Sequence, residues 1–175
     1  MWKHFKLQRM DEFRIRCEFG EKSQAYKDGI EFIVDYDDFI NYVMGYSFTM
    51  NTYGYVVYSS RKDGLCNKSL HRVIMGEPDD MTIDHINHDK LNNCRSNLRI
   101  ATRQQNNMNQ SKRKDNKSDV IGVSWSKTSE KWRAQIKVNN KQFHLGYFDN
   151  FEDACKARKN AEIKYFGEYR NKDNQ

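Results

Sequence analysis

The sequence predicts an α+β protein of two functional modules joined by a basic linker. Three observations carry this. Residues 82–110 read as strand, polar loop, strand and helix. From Val120 the chain alternates in period two through three short runs and then turns helical. Between them SKRKDNKS (111–118) has four bases, two serines and no apolar side chain, the composition of a linker.

The first stretch, to about Tyr46, has the weakest pattern. EFIVD (31–35) reads as a strand, and Asp35 is placed to cap a short helix on which Phe39, Ile40 and Val43 fall at helical spacing. SFTMNTYGYVVYSS (47–60) reads as a hairpin turning between Asn51 and Gly54, and Ser69 is placed to cap the helix LHRVIM. TIDHI and NLRIA are the next two strands, with NHDKLNNCRS as the polar loop between them. Thr102 and Gln105 form a T-x-x-Q capping box that opens a helix through about Asn109. Farther on, IGVSWS, KWRAQIKV and QFHLGYF are three strands, followed by a helix from about Phe151 to Phe166. Asn150 stands at its N-cap and Gly167 at the left-handed position beyond its end. Ala154, Ala157 and Ala161 share one helix face and let the axis approach the sheet closely.

The chain has 175 residues, 37% hydrophobic and 31% charged, with aromatics at 13%. Its mean hydropathy is −1.01. Such a polar chain supports small or divided cores, for which aromatic side chains supply much buried area per residue. The net charge of +6 is uneven: residues 1–80 carry −2 and residues 81–175 carry +8. A basic half suits a polyanion, because phosphate contacts release condensed counterions, although a solvated basic surface has the same composition. Cys17, Cys66, Cys94 and Cys155 are scattered without a C-x-x-C pair, against a zinc ribbon and against a disulfide framework. No apolar run approaches a membrane span, and MWKHFKLQRMDEF lacks the apolar stretch of a signal peptide. The expectation is a reduced, cytoplasmic protein without an obligate protein partner.

The densest chemical cluster is Asp84-His85, followed by Asn97 and Asn106. Phosphodiester hydrolysis needs a base, a cation for the developing charge, and rigid positioning. An imidazole titrating near neutral pH suits the base, and Asp and Asn oxygens suit a hard cation such as Mg²⁺. Adjacent strand residues face opposite ways, so Asp84 and His85 serve one site only where the backbone turns, as the loop from Asn87 allows. Residue types alone leave a structural reading open, because Asx residues also favour turns for local reasons.

DHINHDKLNNCRSNLRIATRQQNN resembles the ββα-metal (His-Me finger) motif of phage-type HNH homing endonucleases, in their H-N-N variety. His85, Asn97 and Asn106 match the signature positions in order, closely over about 68–110 and more loosely back to about Val34. The resemblance implies that His85 is the general base and that Asp84 with Asn106 holds one divalent cation, Mg²⁺ or Mn²⁺. It implies that Asn97 ties the loop to the strand, and it brings His71 and Arg72 near the site, Arg72 toward DNA. The third position is Asn106 in place of His, which disfavours tight zinc binding. His88 stands where relatives often have glycine.

Residues 119–170, through IGVSWS, KWRAQIKVNNKQFHLGYF and FEDACKAR, resemble an AP2 DNA-binding domain, which lays a three-stranded sheet into the major groove. Strand parity places Ile121, Val123, Trp125, Trp132, Ala134, Ile136, Phe143 and Leu145 under the helix. The opposite face carries Ser124, Ser126, Arg133, Gln135, Lys137, Gln142 and His144, the candidate DNA contacts. A plain solvent face has the same parity. Plant-type AP2 domains place arginines where Ser124, Gln135 and Gln142 stand, so no target sequence carries over.

The expected organisation is an N-terminal segment of unassigned role (1–46), an HNH nuclease module (47–110), the linker (111–118) and an AP2-like sheet packed on one helix (119–171). The expected function is metal-dependent nicking of double-stranded DNA, in host cytoplasm if phage-encoded. The nuclease module is expected to stay chemically competent without residues 119–175. The alternative is a DNA-binding transcriptional regulator with a degenerate nuclease motif.

Overall fold

The computed structural model describes residues 8–9, 13–59, 64–110, 118 and 120–171. The basic linker therefore lies outside the described residues, except for Ser118. The described chain is a mixed α/β arrangement of small sheets, none wider than three strands. It divides into two compact units, Met1–Thr102 and Arg103–Gln175. The division falls before the last helix of the expected nuclease module, which is consequently built into the second unit.

In the first unit, β1 (Gln8–Arg9), β2 (Arg14–Glu18) and β3 (Glu31–Asp35) form an antiparallel sheet. Period-two alternation buries Ile15 and Cys17 from β2 and Phe32 and Val34 from β3. Between these strands lies the short α1 (Gln24–Lys27), whose N-cap Ser23 accepts from Tyr26 N. α2 (Tyr36–Asp38) continues as a π-helical turn over Phe39–Val43 and buries Phe39 and Val43, whereas Ile40 faces outward. Asp35 takes the N-cap position, but its carboxylate makes no cap bond and accepts instead from Arg95 N at 2.8 Å.

β4 (Phe48–Met50) and β5 (Val56–Tyr58) form the hairpin, its turn closed by Asn51 Oδ1 accepting from Tyr53 N and Tyr55 N at 3.0 Å each. Phe19, Phe32, Phe48 and Tyr58 stack through centroid distances of 5.1, 5.3 and 4.7 Å, an aromatic spine that gives this polar chain its core. Burial of each ring contributes about 1.5–3 kcal/mol. α3 (Leu70–Ile74) buries Leu70 and Ile74 on the same core, with Ser69 at its N-cap and no side-chain cap bond. β6 (Thr82–His85) pairs antiparallel with β7 (Leu98–Ala101). Residues 15–46 are thus part of one core with the rest of this unit.

The second unit opens with α4 (Arg103–Met108). β8 (Val123–Ser126), β9 (Lys131–Val138) and β10 (Lys141–Phe148) form an antiparallel sheet in the order β10-β9-β8, packed on α5 (Phe151–Phe166). Val123, Ala134, Ile136, Ala154 and Ala161 are buried between sheet and helix. Gly122, at φ +79°, admits no side chain, since a Cβ there would lie 2.3 Å from Gln135 O. Two residues of the helix-facing parity stay open. Trp125 is 48% exposed at the end of the edge strand, edge-on to Trp132, and Phe143 is 41% exposed, stacked on Tyr165. The register shifts between His144 and Gly146, so Tyr147 joins the outer face opposite Arg133, and Phe148 turns inward opposite Trp132.

Candidate active site

The polar cluster of the first unit is assembled at the end of β6. The strand runs through His85, then turns: His88 N donates to His85 O at 3.0 Å, and His88 sits at φ +64°. The left-handed backbone explains why glycine is at home at this position. Asp84 and His85 alternate across the ribbon, opposite Arg99 and Leu98 respectively, and both are buried, at 6% and 5% exposure. Buried polar groups need partners. Arg99 supplies one, donating from Nε and Nη2 to Asp84 Oδ2 at 2.8 and 2.6 Å.

His85 lies in an aromatic stack. Its ring is 5.0 Å from that of His71 and 5.8 Å from that of Tyr55, and Tyr55 lies 5.0 Å from His71. Lys90 Nζ sits 4.7 Å over the Tyr55 ring and donates to Tyr53 O at 2.8 Å. Asn93 Oδ1 stands 3.5 Å from His85 Nε2, the outer limit of hydrogen bonding. Burial pushes the His85 pKa below its ordinary 6.5, with Lys90 acting in the same sense. The Asn93 contact and the Asp84 and Asp89 carboxylates oppose the shift. A neutral imidazole is the form that accepts a proton.

Asn97 fastens the loop. Its Oδ1 accepts from Asn87 N at 3.0 Å, its Nδ2 donates to Asn92 O at 2.8 Å, and its main-chain O accepts from Ile86 N at 2.9 Å. Arg72 donates from Nη1 to Met81 O and from Nη2 to Pro78 O, which ties down the turn between α3 and β6. Asn106 is half-buried on α4, in the second unit. Sequence pattern alone does not single out Arg99, Asn93, Tyr55 or Lys90. Of these only Arg99 had a local signal, its antiparallel register opposite Asp84.

His71 is driven down to about 3 from its ordinary 6.5, first by burial and then by His85 and Arg72. Between these values the unfolded chain takes up a proton that the folded chain refuses. Stability is therefore full above about pH 6.5 and falls as the pH drops toward 3. Urea melts are expected to show a loss of about 2 kcal/mol between pH 6.5 and 5, and His71→Leu is expected to remove most of it. A flat profile for the unaltered chain would contradict the assignment.

The family model for HNH endonucleases matches residues 68–108, the stretch from α3 through α4. Over that stretch the chain is similar to HNH endonucleases. Protein 3.8 of Escherichia phage T7 is 39% identical over 70 residues, covering 40% of this chain and 58% of that protein. An Acanthamoeba polyphaga mimivirus protein named "Uncharacterized HNH endonuclease L560" is 35% identical over 106 residues, 57% of this chain and 54% of its own length. The chain thus spans a little over half the length of these curated relatives. No solved structure matches significantly. The HNH match includes Asp84, His85, Asn97 and Asn106 together with Arg99 and Asn93.

In the second unit, the sheet's register sets the outer-face residues side by side. Ser124 pairs with Arg133, Gln135 with His144 and Lys137 with Gln142, and Ser126 ends β8 on the same face. Arg133 Nη2 lies 3.5 Å from Ser124 Oγ, and Gln142 Nε2 donates to Gln135 Oε1. A cleft of about 670 Å³ in this unit is lined by amides such as Gln104, Asn107 and Gln135, by the charged Arg158 and Glu162, and by apolar side chains such as Met108. Among the described residues no helix is long and apolar enough to cross a membrane.

Proposed function

We propose that the chain is a divalent-metal-dependent DNA endonuclease that hydrolyses phosphodiester bonds, nicking one strand at a preferred site. The observation that carries this reading is the buried, proton-poor His85 beside Asp84, within the stretch that matches HNH endonucleases. His85 takes the proton of the attacking water, and the Asn97 bonds keep the loop closed behind it. Lys90 adds positive charge near His85, where the anionic substrate is attacked.

Metal dependence rests on the donor set. Among the described residues no three His, Cys, Asp or Glu side chains cluster as a metal cage. The donors on offer are the Asp84 carboxylate and, by the resemblance, the Asn106 amide oxygen. Hard oxygens with few protein ligands fit Mg²⁺ or Mn²⁺, which keep several waters. Such an ion supplies Lewis-acid stabilisation to the phosphate and the leaving 3′ oxygen.

The outer face of the second unit, with Ser124, Ser126, Arg133, Gln135, Lys137, Gln142 and His144, docks the enzyme on duplex DNA in the manner of an AP2 domain. Docking raises the effective concentration of the nuclease site at its target. A homing role fits the viral relatives. Arg133→Ala and Lys137→Ala are each expected to weaken duplex binding and to lower the slope of log affinity against log salt by about 1. An unchanged slope would remove this face from the DNA.

The test of the reaction is the product. Hydrolysis with a 3′ leaving oxygen yields nicks bearing 5′-phosphate and 3′-hydroxyl ends, which a DNA ligase reseals, and EDTA prevents their formation. Nicks that resist ligation would overturn the mechanism. The Arg99 pair on Asp84 favours the second reading, a DNA-binding regulator with a disabled site. Duplex binding without any nicking would select it.

A further inference from the structure

The loop that carries Asn93 is held from outside the HNH match, by the strand and helix over residues 31–38. Ile33 N donates to Leu91 O, and Ile33 O accepts from Asn93 N, both at 2.8 Å, so the loop lies along β3 through a parallel bridge between Ile33 and Asn92. Two residues on, Asp35 Oδ2 accepts from Arg95 N at 2.8 Å. The Asp38 carboxylate accepts from Arg95 Nε at 3.1 and 2.9 Å and from Nη2 at 2.7 Å, a fork that fixes the guanidinium in plane.

Asp38 is only 2% exposed, whereas half of the Arg95 side chain is open to solvent. A carboxylate buried to this degree costs free energy that an apolar side chain of the same size would not, and its fork imposes one loop geometry in return. The geometry matters at one atom. Leu91 and Arg95 are the two ends of the clamped stretch, and Asn93 stands between them, fully buried. Its Nδ2 donates to Lys90 O and Leu91 O, which leaves Oδ1 facing His85 Nε2.

We propose that Asp38 and Arg95 are positioning residues for the cleavage reaction: they clamp the 91–95 loop so that Asn93 orients the His85 imidazole. This assigns the N-terminal segment a part in the nuclease site, and it rests on His85 being the base. Orientation through an outer shell of hydrogen bonds is worth about ten- to a hundredfold in rate.

The test uses the full chain on supercoiled plasmid at saturating Mg²⁺ under single-turnover conditions. Variants are Asp38→Asn, Arg95→Lys (which keeps the charge and loses the fork), Asn93→Ala, the double variant Asp38→Asn/Asn93→Ala, and His85→Ala. Each is confirmed folded by circular dichroism. Asp38→Asn and Arg95→Lys are expected to slow nicking about tenfold or more, with duplex affinity unchanged. Both are expected to shift the His85 ring nitrogen signals as Asn93→Ala does. The double variant is expected to be no slower than Asn93→Ala alone. A merely structural clamp would leave the His85 signals in place and make the effects additive, which overturns the proposal. If His85→Ala is inactive while Asp38→Asn and Arg95→Lys nick at the unaltered rate, the clamp inference alone fails. If His85→Ala nicks normally, His85 is not the base, and the clamp inference falls with that assignment.

Discussion

His85→Ala is expected to lower the nicking rate by about a hundred- to ten-thousandfold while duplex affinity stays within about twofold, the usual range for loss of a general base. The asymmetry follows from where the side chain is. At 5% exposure, inside the His71–Tyr55 stack, it offers little surface to bind DNA, and the role proposed for it is to take a proton. Removing the ring also empties space beside Tyr55 and leaves Asn93 without its contact, so some stability is lost. Rates are therefore compared at a temperature where melting curves show both proteins folded, and affinity is read by band shift without metal. Equal losses of cleavage and of affinity would make His85 a structural residue.

The second large effect is expected from ending the chain at Ser118. Sequence reasoning alone leaves such a fragment a competent, poorly targeted nuclease. The packing of α4 predicts otherwise. Met108 is packed against Ile136, Ala161 and Phe166, Asn171 Nδ2 donates to Gln110 O at 3.2 Å, and Gln104 is bonded to Asn139. Every one of those partners lies beyond residue 118. A helix of six residues does not hold its shape in water unaided. The fragment is expected to lose about ten- to a hundredfold in cleavage even at concentrations that compensate for weaker binding, and to need more Mg²⁺, because Asn106, proposed above as a metal donor, is no longer held. Cleavage restored to the full-chain rate by concentration alone would show that α4 forms without the second unit.

Much of the local structure was legible because it is written in local periodicity. The strand–loop–strand–helix order around Asp84, the hairpin turning at Asn51, and the three strands before α5 all follow from spacing and turn chemistry within about fifteen residues. Long-range contacts could not be read in this way. Asp35 occupies the expected cap position, yet its carboxylate goes to Arg95, sixty residues away, and Asp38 meets the same residue across fifty-seven. Nothing near EFIVDYDD announces that partner. The register shift after His144 adds a residue that a period-two reading of QFHLGYF passes over, so Tyr147 and Phe148 fall on faces the parity alone does not give. The break between units at Thr102 is invisible for the same reason. What assigns α4 to the second unit is the packing of Met108 against residues twenty-eight and more positions later.

Around His85, the candidate residues are legible in sequence and their environment is not. Asp84, His85, Asn97 and Asn106 are recognisable by type and order. The burial that lowers the His85 pKa, the Tyr55–Lys90 cover and the Asn93 contact come from separate parts of the first unit. Chemistry of this kind depends on surroundings as much as on residue identity.

The central claim is that this chain cleaves DNA with a divalent ion and with His85 as its base. Conversion of supercoiled plasmid to the open circle, followed in Mg²⁺, in EDTA and with His85→Ala in Mg²⁺, tests it most directly. Open circles formed by the unaltered chain in Mg²⁺ alone are the predicted result. Conversion that persists in EDTA or in His85→Ala would contradict the account, as would its absence with Mg²⁺ and Mn²⁺ from a preparation that binds the same duplex across a library of sites.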